Sequence, residues 1–264
     1  MLLVYHARMG LSRRKFAPRI STGIAVAVGA AVVLAGCGAD DAETGPNEGD
    51  NDSREVLSDD TPQDFDRTLH ELSLTSDAVE GVQLTPIPDE EISQMAERDP
   101  MLTDAMRTEP AECMEVGGSP IGAETGPGDF HAQVAVVQNQ QLGVFLFSDT
   151  DFVETLPALT DQCENFTIHL DGQGGADGIV SEMRNEEIDA PEPEGVHSFV
   201  SVLQNATGTV GGADIDSQSA ILSGAVDGRG VQVTVQSFEG DVPQEALDSA
   251  SDVFAAQVER LLDA

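Results

Sequence analysis

Three cysteines constrain this chain more than any other residue type, because their positions divide it before any fold is considered. Cys37 directly follows Leu34-Ala35-Gly36, at the end of a mostly apolar run from Ile20 to Ala35. Arg8, Arg13, Arg14, Lys15 and Arg19 precede that run, which gives the charge-then-apolar order of a secretory signal. The run is short for a bilayer span, which takes about 20 apolar residues. With residues 1–36 removed as a leader and Cys37 at the new terminus, Cys113 and Cys163 remain as an even pair in an oxidising compartment. A disulfide is the default reading of such a pair. Closing a loop of about 51 residues would contribute roughly 4 kcal/mol in the chain-entropy account. The rival readings are a thiol nucleophile or a metal pair, but the spacing is wrong for a redox motif and no His sits beside either Cys.

The tetrapeptide Leu34-Ala35-Gly36-Cys37 resembles the lipobox of bacterial lipoproteins. That resemblance implies a diacylglycerol on the Cys37 thiol, cleavage between Gly36 and Cys37, and attachment to the outer face of the cytoplasmic membrane. Two acyl chains supply the stable anchoring that one chain does not. An uncleaved transmembrane anchor, or an ordinary secretory signal with an incidental Cys37, are the alternatives. Ser12-Arg13-Arg14-Lys15-Phe16 also looks like a twin-arginine export signal, which leaves the export route open, and either Met1 or Met9 serves as a start.

Charge is distributed as unevenly as cysteine. Five of the 12 Lys and Arg lie in the leader, and all 48 acidic residues follow it, so 7 Arg minus 48 carboxylates leaves a net charge of −41 on the mature chain. Such a surface repels nucleic acid and anionic headgroups. Solvation in a salty medium accounts for it without any acidic-site function, and cation binding is the sharper alternative.

Residues 37–64 are Asp, Glu, Gly, Asn, Ser and Pro with scarcely a large apolar side chain, and read as an acidic flexible tether. Residues 65–264 then have the length of a single domain. Val82 to Ile87 alternates as a short strand, and Asp89 to Arg98 reads as a short acidic helix. Met95, Met101 and Met106 suit gap-filling in a core. Phe130–Val137 and Gln141–Ser148 form a predicted hairpin turning around Asn139-Gln140, with Val144 to Phe147 apolar on both faces as in an inner strand. From Asp151 to Glu164, helical spacing places Cys163 on a buried helix face. Pro157 then demands either a kink or a start near Thr155.

In Asn165 to Leu170, Phe166, Ile168 and Leu170 alternate with Thr167 and His169. Asp171 to Gly178 reads as a loop, since it lacks the order of acidic ligands of a calcium site. Ile179–Met183, Val196–Leu203, Gln218–Val226 and Val231–Phe238 are further strands, the last alternating Val with Gln and Thr as in a sheet packed on one face. Asp241 to Leu262 closes the chain as an amphipathic helix with Asp241 as N-cap and Leu247, Ala250, Phe254, Val258 and Leu261 on one stripe. The expected class is α+β, a mainly antiparallel sheet with helices packed on it.

Pro110-Ala111-Glu112-Cys113, the hairpin, the helix leading to Cys163, the Phe166-Thr167-Ile168 strand and the closing strand and helix resemble actinobacterial sensor-like lipoproteins. The same pattern is similar to the extracellular sensor domain of the mycobacterial kinase PknH. Over residues 69–264 this implies an extracytoplasmic α+β domain with a ligand-binding cleft and no catalysis. Cys113 and Cys163 supply one disulfide where that kinase domain has two.

Chemistry-bearing motifs are missing. There is no Gly-x-Ser-x-Gly or His-Glu-x-x-His, there is no Ser-x-x-Lys after the leader, and His70, His131, His169 and His197 are scattered singly. The Glu186-Glu187 pair reads as solvated surface. The expectation is therefore a non-catalytic binding or sensing domain without metal or cofactor, which meets the membrane through Cys37 and takes a small ligand or an envelope protein, not nucleic acid. An envelope hydrolase and a protein-interaction or structural subunit are the alternatives, and the shape of any cleft discriminates among them.

Overall fold

A computed structural model describes residues 67–117, 126, 128–170, 178–210, 213–238 and 240–264. The expected leader, the expected Gly36–Cys37 cleavage point and lipid on Cys37, the expected tether and most of the Asp171–Gly178 segment lie outside the described residues.

Nine strands form one antiparallel sheet: β1 (Thr85–Pro86), β2 (Met106–Glu109), β3 (Phe130–Val137), β4 (Gln140–Phe147), β5 (Asn165–Leu170), β6 (Ile179–Glu187), β7 (His197–Val210), β8 (Ala213–Val226) and β9 (Arg229–Ser237). Their order across the sheet is β1-β3-β4-β9-β8-β7-β6-β5-β2. The predicted α+β class is the observed one. Local turn chemistry builds much of it. Gln138 and Asn139 (φ 50° and 64°) join β3 to β4, and Asp227 and Gly228 (φ 48° and 73°) join β8 to β9. Two-residue turns with positive φ at both positions match the right-handed twist of their strands.

Alternation along the strands sorts the side chains onto two faces. One face turns Leu142, Val144 and Leu146 of β4, Val231, Val233 and Val235 of β9, and Ala220 and Leu222 of β8 against helix α6 (Gln244–Leu262). The α6 stripe is the predicted one, with Ala250, Phe254, Val258 and Leu261 buried and Leu247 at its half-buried margin. Fully burying side chains of the Val, Leu and Phe class stabilises by about 1.5–3 kcal/mol each. Helix α1 (Leu69–Leu72), one turn closed by a reciprocal Thr68–Glu71 capping box, packs into the same cluster. Gln257 of α6 fixes the segment after α1. Its Nε2 donates to the Leu72 carbonyl at 2.9 Å, and its Oε1 accepts from the Leu74 N–H at 3.2 Å. The Gln133 side chain donates to the Leu74 carbonyl at 2.9 Å, so a fully buried amide on each side satisfies this stretch of backbone.

The opposite face carries two further apolar clusters. Ile92 and Met95 of α2 (Asp89–Ala105) and Val153 of α4 (Asp151–Thr155) cover Phe130, Phe145 and Phe147. Val116 of α3 (Met114–Gly117) and Leu159 of α5 (Ala158–Asp161) cover Phe166, Ile168, Met183 and Val202. Cys113, in a 3₁₀ turn at Ala111–Cys113, and Cys163 are buried in this second cluster and bonded to each other.

Several expectations are corrected. Helix α2 runs through Pro100 to Ala105 instead of stopping near Arg98, and β2 follows directly, pairing with β5 at the far edge. The 151–164 segment is two short helices separated at Pro157, which has no N–H to donate to the Val153 carbonyl, and Cys163 lies just after α5 rather than on a helix face. The Cys163 N–H still bonds the Ala158 carbonyl at 2.9 Å, which turns the sulfur inward. Pro243, not Asp241, is the N-cap of α6, and its carbonyl accepts from Ala246 and Leu247 N–H. The β3–β4 turn is one residue earlier than expected, because Val137 pairs with Gln140. The Val82–Ile87 strand shrinks to Thr85–Pro86, since Pro88 and the α2 start end it. Strands β6, β7 and β8 extend beyond their predicted limits, to 9, 14 and 14 residues. Finally, β9 is buried on both faces, with Gln232, Thr234 and Gln236 as enclosed as the valines between them.

Candidate functional site

Helix α6 covers only half of its face. Beyond β8, the same face of β7, β6, β5 and β2 lines a hollow of about 640 Å³ that no helix among the described residues covers. Register places Asn205 and Thr207 of β7 opposite Arg184 and Glu182 of β6, these opposite Asn165 and Thr167 of β5, and Glu109 of β2 opposite Thr167. Half-buried Leu203 lies at the margin of the α6 cluster. Gln218 marks the border: its Nε2 donates to Asn205 Oδ1 at 2.8 Å, and its Oε1 accepts from Val242 N–H at 2.7 Å, just ahead of α6. A single glutamine thus ties the helix entry to the rim of the hollow.

Glu109, Glu182 and Glu186 contribute three carboxylates, and Arg184 contributes one guanidinium. Arg184 Nη2 meets Glu186 Oε1 at 2.7 Å, but both side chains are largely exposed, so the pair contributes at most about 1 kcal/mol. Such a cavity offers many hydrogen-bonding groups with little rigid charge pairing among them. Alternation separates Glu186 from Glu187. Glu187 is on the other face, in a second hollow of about 530 Å³ between the Pro157 break and residues 188–192. The two carboxylates expected as a surface pair therefore serve different surfaces.

The histidines do not converge. His70 is exposed on α1, and its ring meets the buried His131 ring edge-on at 5.1 Å. Burial lowers the His131 pKa below its ordinary value; the positive charge of His70 acts in the same direction and Asp89 opposes it. His169 Nε2 is 3.8 Å from Glu109 Oε1, while His197 stands exposed at the start of β7. The first hollow has no serine, cysteine or histidine in its lining. The second has Ser201, whose hydroxyl donates to the Ile188 carbonyl, and no histidine. Neither lining brings a serine or cysteine together with a histidine, the commonest nucleophile–base pairing of acyl transfer. Among the described residues, no group of three or more His, Cys, Asp or Glu side chains is placed to hold a metal ion, and no helix is long and apolar enough to cross a membrane. Met95 and Met106 pack against separate apolar clusters as gap-fillers, and the Met101 side chain lies outside what is described.

Fold and site together define an antiparallel α+β domain whose one sheet face is half covered and half open. Among solved structures it is similar to the extracellular domain of PknH from Mycobacterium tuberculosis, at 12% identity over 75% of this chain and 96% of that one, with a TM-score of 0.39. It is also similar to an uncharacterised Mycobacterium smegmatis protein, the Rv0999 ortholog, at 16% identity over 68% of this chain and 86% of that one, with a TM-score of 0.38. No protein-family model matches the chain, and no curated protein matches it. The site has to be understood from this chain's own residues.

Proposed function

We propose that this chain is a non-catalytic binding or sensing domain, exported and held at the outer face of the cytoplasmic membrane by a lipid on Cys37, that takes a small polar ligand on the open half of the α6 face. The observation that carries the reading is the 640 Å³ hollow, where polar side chains from four adjacent strands converge. A concave site with convergent polar groups is the usual form of a ligand pocket. The leader, with its basic cluster, apolar run and Leu34-Ala35-Gly36-Cys37 end, supports export and lipid attachment. Neither hollow joins a serine or cysteine to a histidine, which gives no support to a hydrolase of the serine or cysteine type.

The test is thermal unfolding of the detergent-extracted chain with peptidoglycan fragments, envelope lipids and divalent cations, repeated with Glu182→Gln. A ligand that raises Tm in the native chain and loses that effect in the variant supports the reading. No shift with any of them, together with recovery of one stoichiometric envelope protein by pull-down, would replace it with the interaction-subunit reading.

A further inference from the structure

Residues 68–74 form a strap on the covered half of the α6 face, away from the hollow. Leu69, Leu72 and Leu74 of the strap are 5%, 0% and 7% exposed in the α6 cluster. Neutral buried amides hold it down: Gln257 bonds the Leu72 carbonyl and the Leu74 N–H, and Gln133 bonds the Leu74 carbonyl. Arg260 Nη2 adds a bond to the Glu71 carbonyl at 2.9 Å. None of these groups changes its charge between about pH 5 and 8. Glu71 does not either, because the hydrogen bonds from Thr68 hold its carboxyl below the usual range.

One contact of the strap does titrate in that interval. His70 of α1 sets its ring edge-on against His131 of β3, with centroids 5.1 Å apart and 79° between the planes. His131 is 5% exposed, and its Nε2 is buried without a hydrogen-bond partner among the described residues. A protonated imidazole is a donor at both nitrogens, so a proton on His131 places a charge and an unpaired donor in a buried site. Each element packed against it presents a different group: His70 comes from α1, Asp89 from the start of α2, and the uncharged Leu146 lies opposite on β4. Burial resists the proton most, the charge of His70 resists it further, and Asp89 favours it.

We infer that the His70–His131 contact is an acid-operated latch, whose protonation frees the 68–74 strap and bares Leu69, Leu72 and Leu74 while the nine-stranded sheet stays folded. The strap is the part that moves because it carries the second positive ring, whereas β3 is fixed between β1 and β4. Lifting it separates the two charges and opens His131 to water. The released form takes up the proton first. Its share therefore grows as pH falls below about 6.5, the ordinary value for histidine, and the strap is closed above it.

The experiment is amide hydrogen exchange of the full chain in detergent, read by mass spectrometry at pH 7.5 and 5.5 and expressed as protection relative to the unstructured rate at each pH. Protection of residues 68–76 should fall about tenfold at pH 5.5, one unit below the ordinary histidine value, while residues 231–237 of β9 keep theirs. The fall should vanish in His131→Gln and shrink in His70→Gln. Four results overturn the latch: equal strap protection at the two pH values, an equal loss in β9, the full fall in His131→Gln, or the full fall in His70→Gln. If His131→Gln does not fold, His131→Phe, a neutral ring of similar shape, takes its place.

Discussion

On the α6 face, strands β3, β4, β9 and β8 turn Ala135, Leu142, Val144, Val233 and Leu222 toward helices, whereas β7, β6, β5 and β2 turn Asn205, Arg184, Glu182, Thr167 and Glu109 toward solvent. The strands of both halves belong to one hydrogen-bonded sheet, so backbone pairing cannot be what separates them. The difference lies in what is available to cover each half. Helix α6 can only shield the strands it crosses, and the polar half is held flat from behind by the second apolar cluster and the Cys113–Cys163 bond. A supported but uncovered surface is where binding groups can stand without disturbing the core.

Breaking the support should have the largest effect. Replacing Cys113 and Cys163 together with Ser is expected to cost about 4 kcal/mol, with a range of roughly 2–5, through the closed loop of 50 residues' separation. Urea unfolding measures this, and hydrogen exchange should show β5 and β6 losing protection before β4 and β9. Next, Phe254→Ala removes the ring that packs at 5.5 Å from Phe199 and should cost about 3–4 kcal/mol, with protection lost first on the covered half. If both variants loosen the sheet uniformly, the two halves are not separate units of stability.

Gln257→Leu leaves the Leu72 carbonyl and Leu74 N–H buried and unpaired, and should cost about 2 kcal/mol by thermal unfolding although it adds apolar surface. His131 offers a pH test at the β3 end of the covered half, where His70 and Asp89 face it. Its folded pKa is lowered, so the unfolded chain takes up a proton first as pH falls. The associated stability is fully present above about pH 6.5 and is lost as the pH drops below it. Tm measured from pH 8 to 5 should fall more steeply for the native chain than for His131→Gln; parallel curves would remove the assignment. The smallest expected effect is Glu182→Gln on the open half, within about 0.5 kcal/mol of native stability, so that any change in ligand response is a change in binding alone.

The elements most legible in the sequence were those whose signal is local. The Phe130–Val137 and 140–147 hairpin announces itself by alternation around two turn residues, and the Ala250, Phe254, Val258 and Leu261 stripe by helical period, because both patterns repeat within a few residues. Strand β2 was illegible, since Met106–Glu109 becomes a strand only by pairing with β5, about sixty residues later. Residues Glu109, Thr167, Glu182 and Arg184 carry no motif, and nothing but register across four strands assembles them into a hollow.

By itself the sequence determined the α+β class and offered Cys113 and Cys163 as the pair that is bonded, because hydrophobic period and residue type are read from the chain without knowing what packs on it. Tertiary structure alone decided that Gln232, Thr234 and Gln236 are buried although their alternation reads as a solvated face, that Glu186 and Glu187 serve opposite surfaces, and that one half of the α6 face stays open. Burial depends on what a distant segment lays across a strand, and no short window of sequence contains both partners.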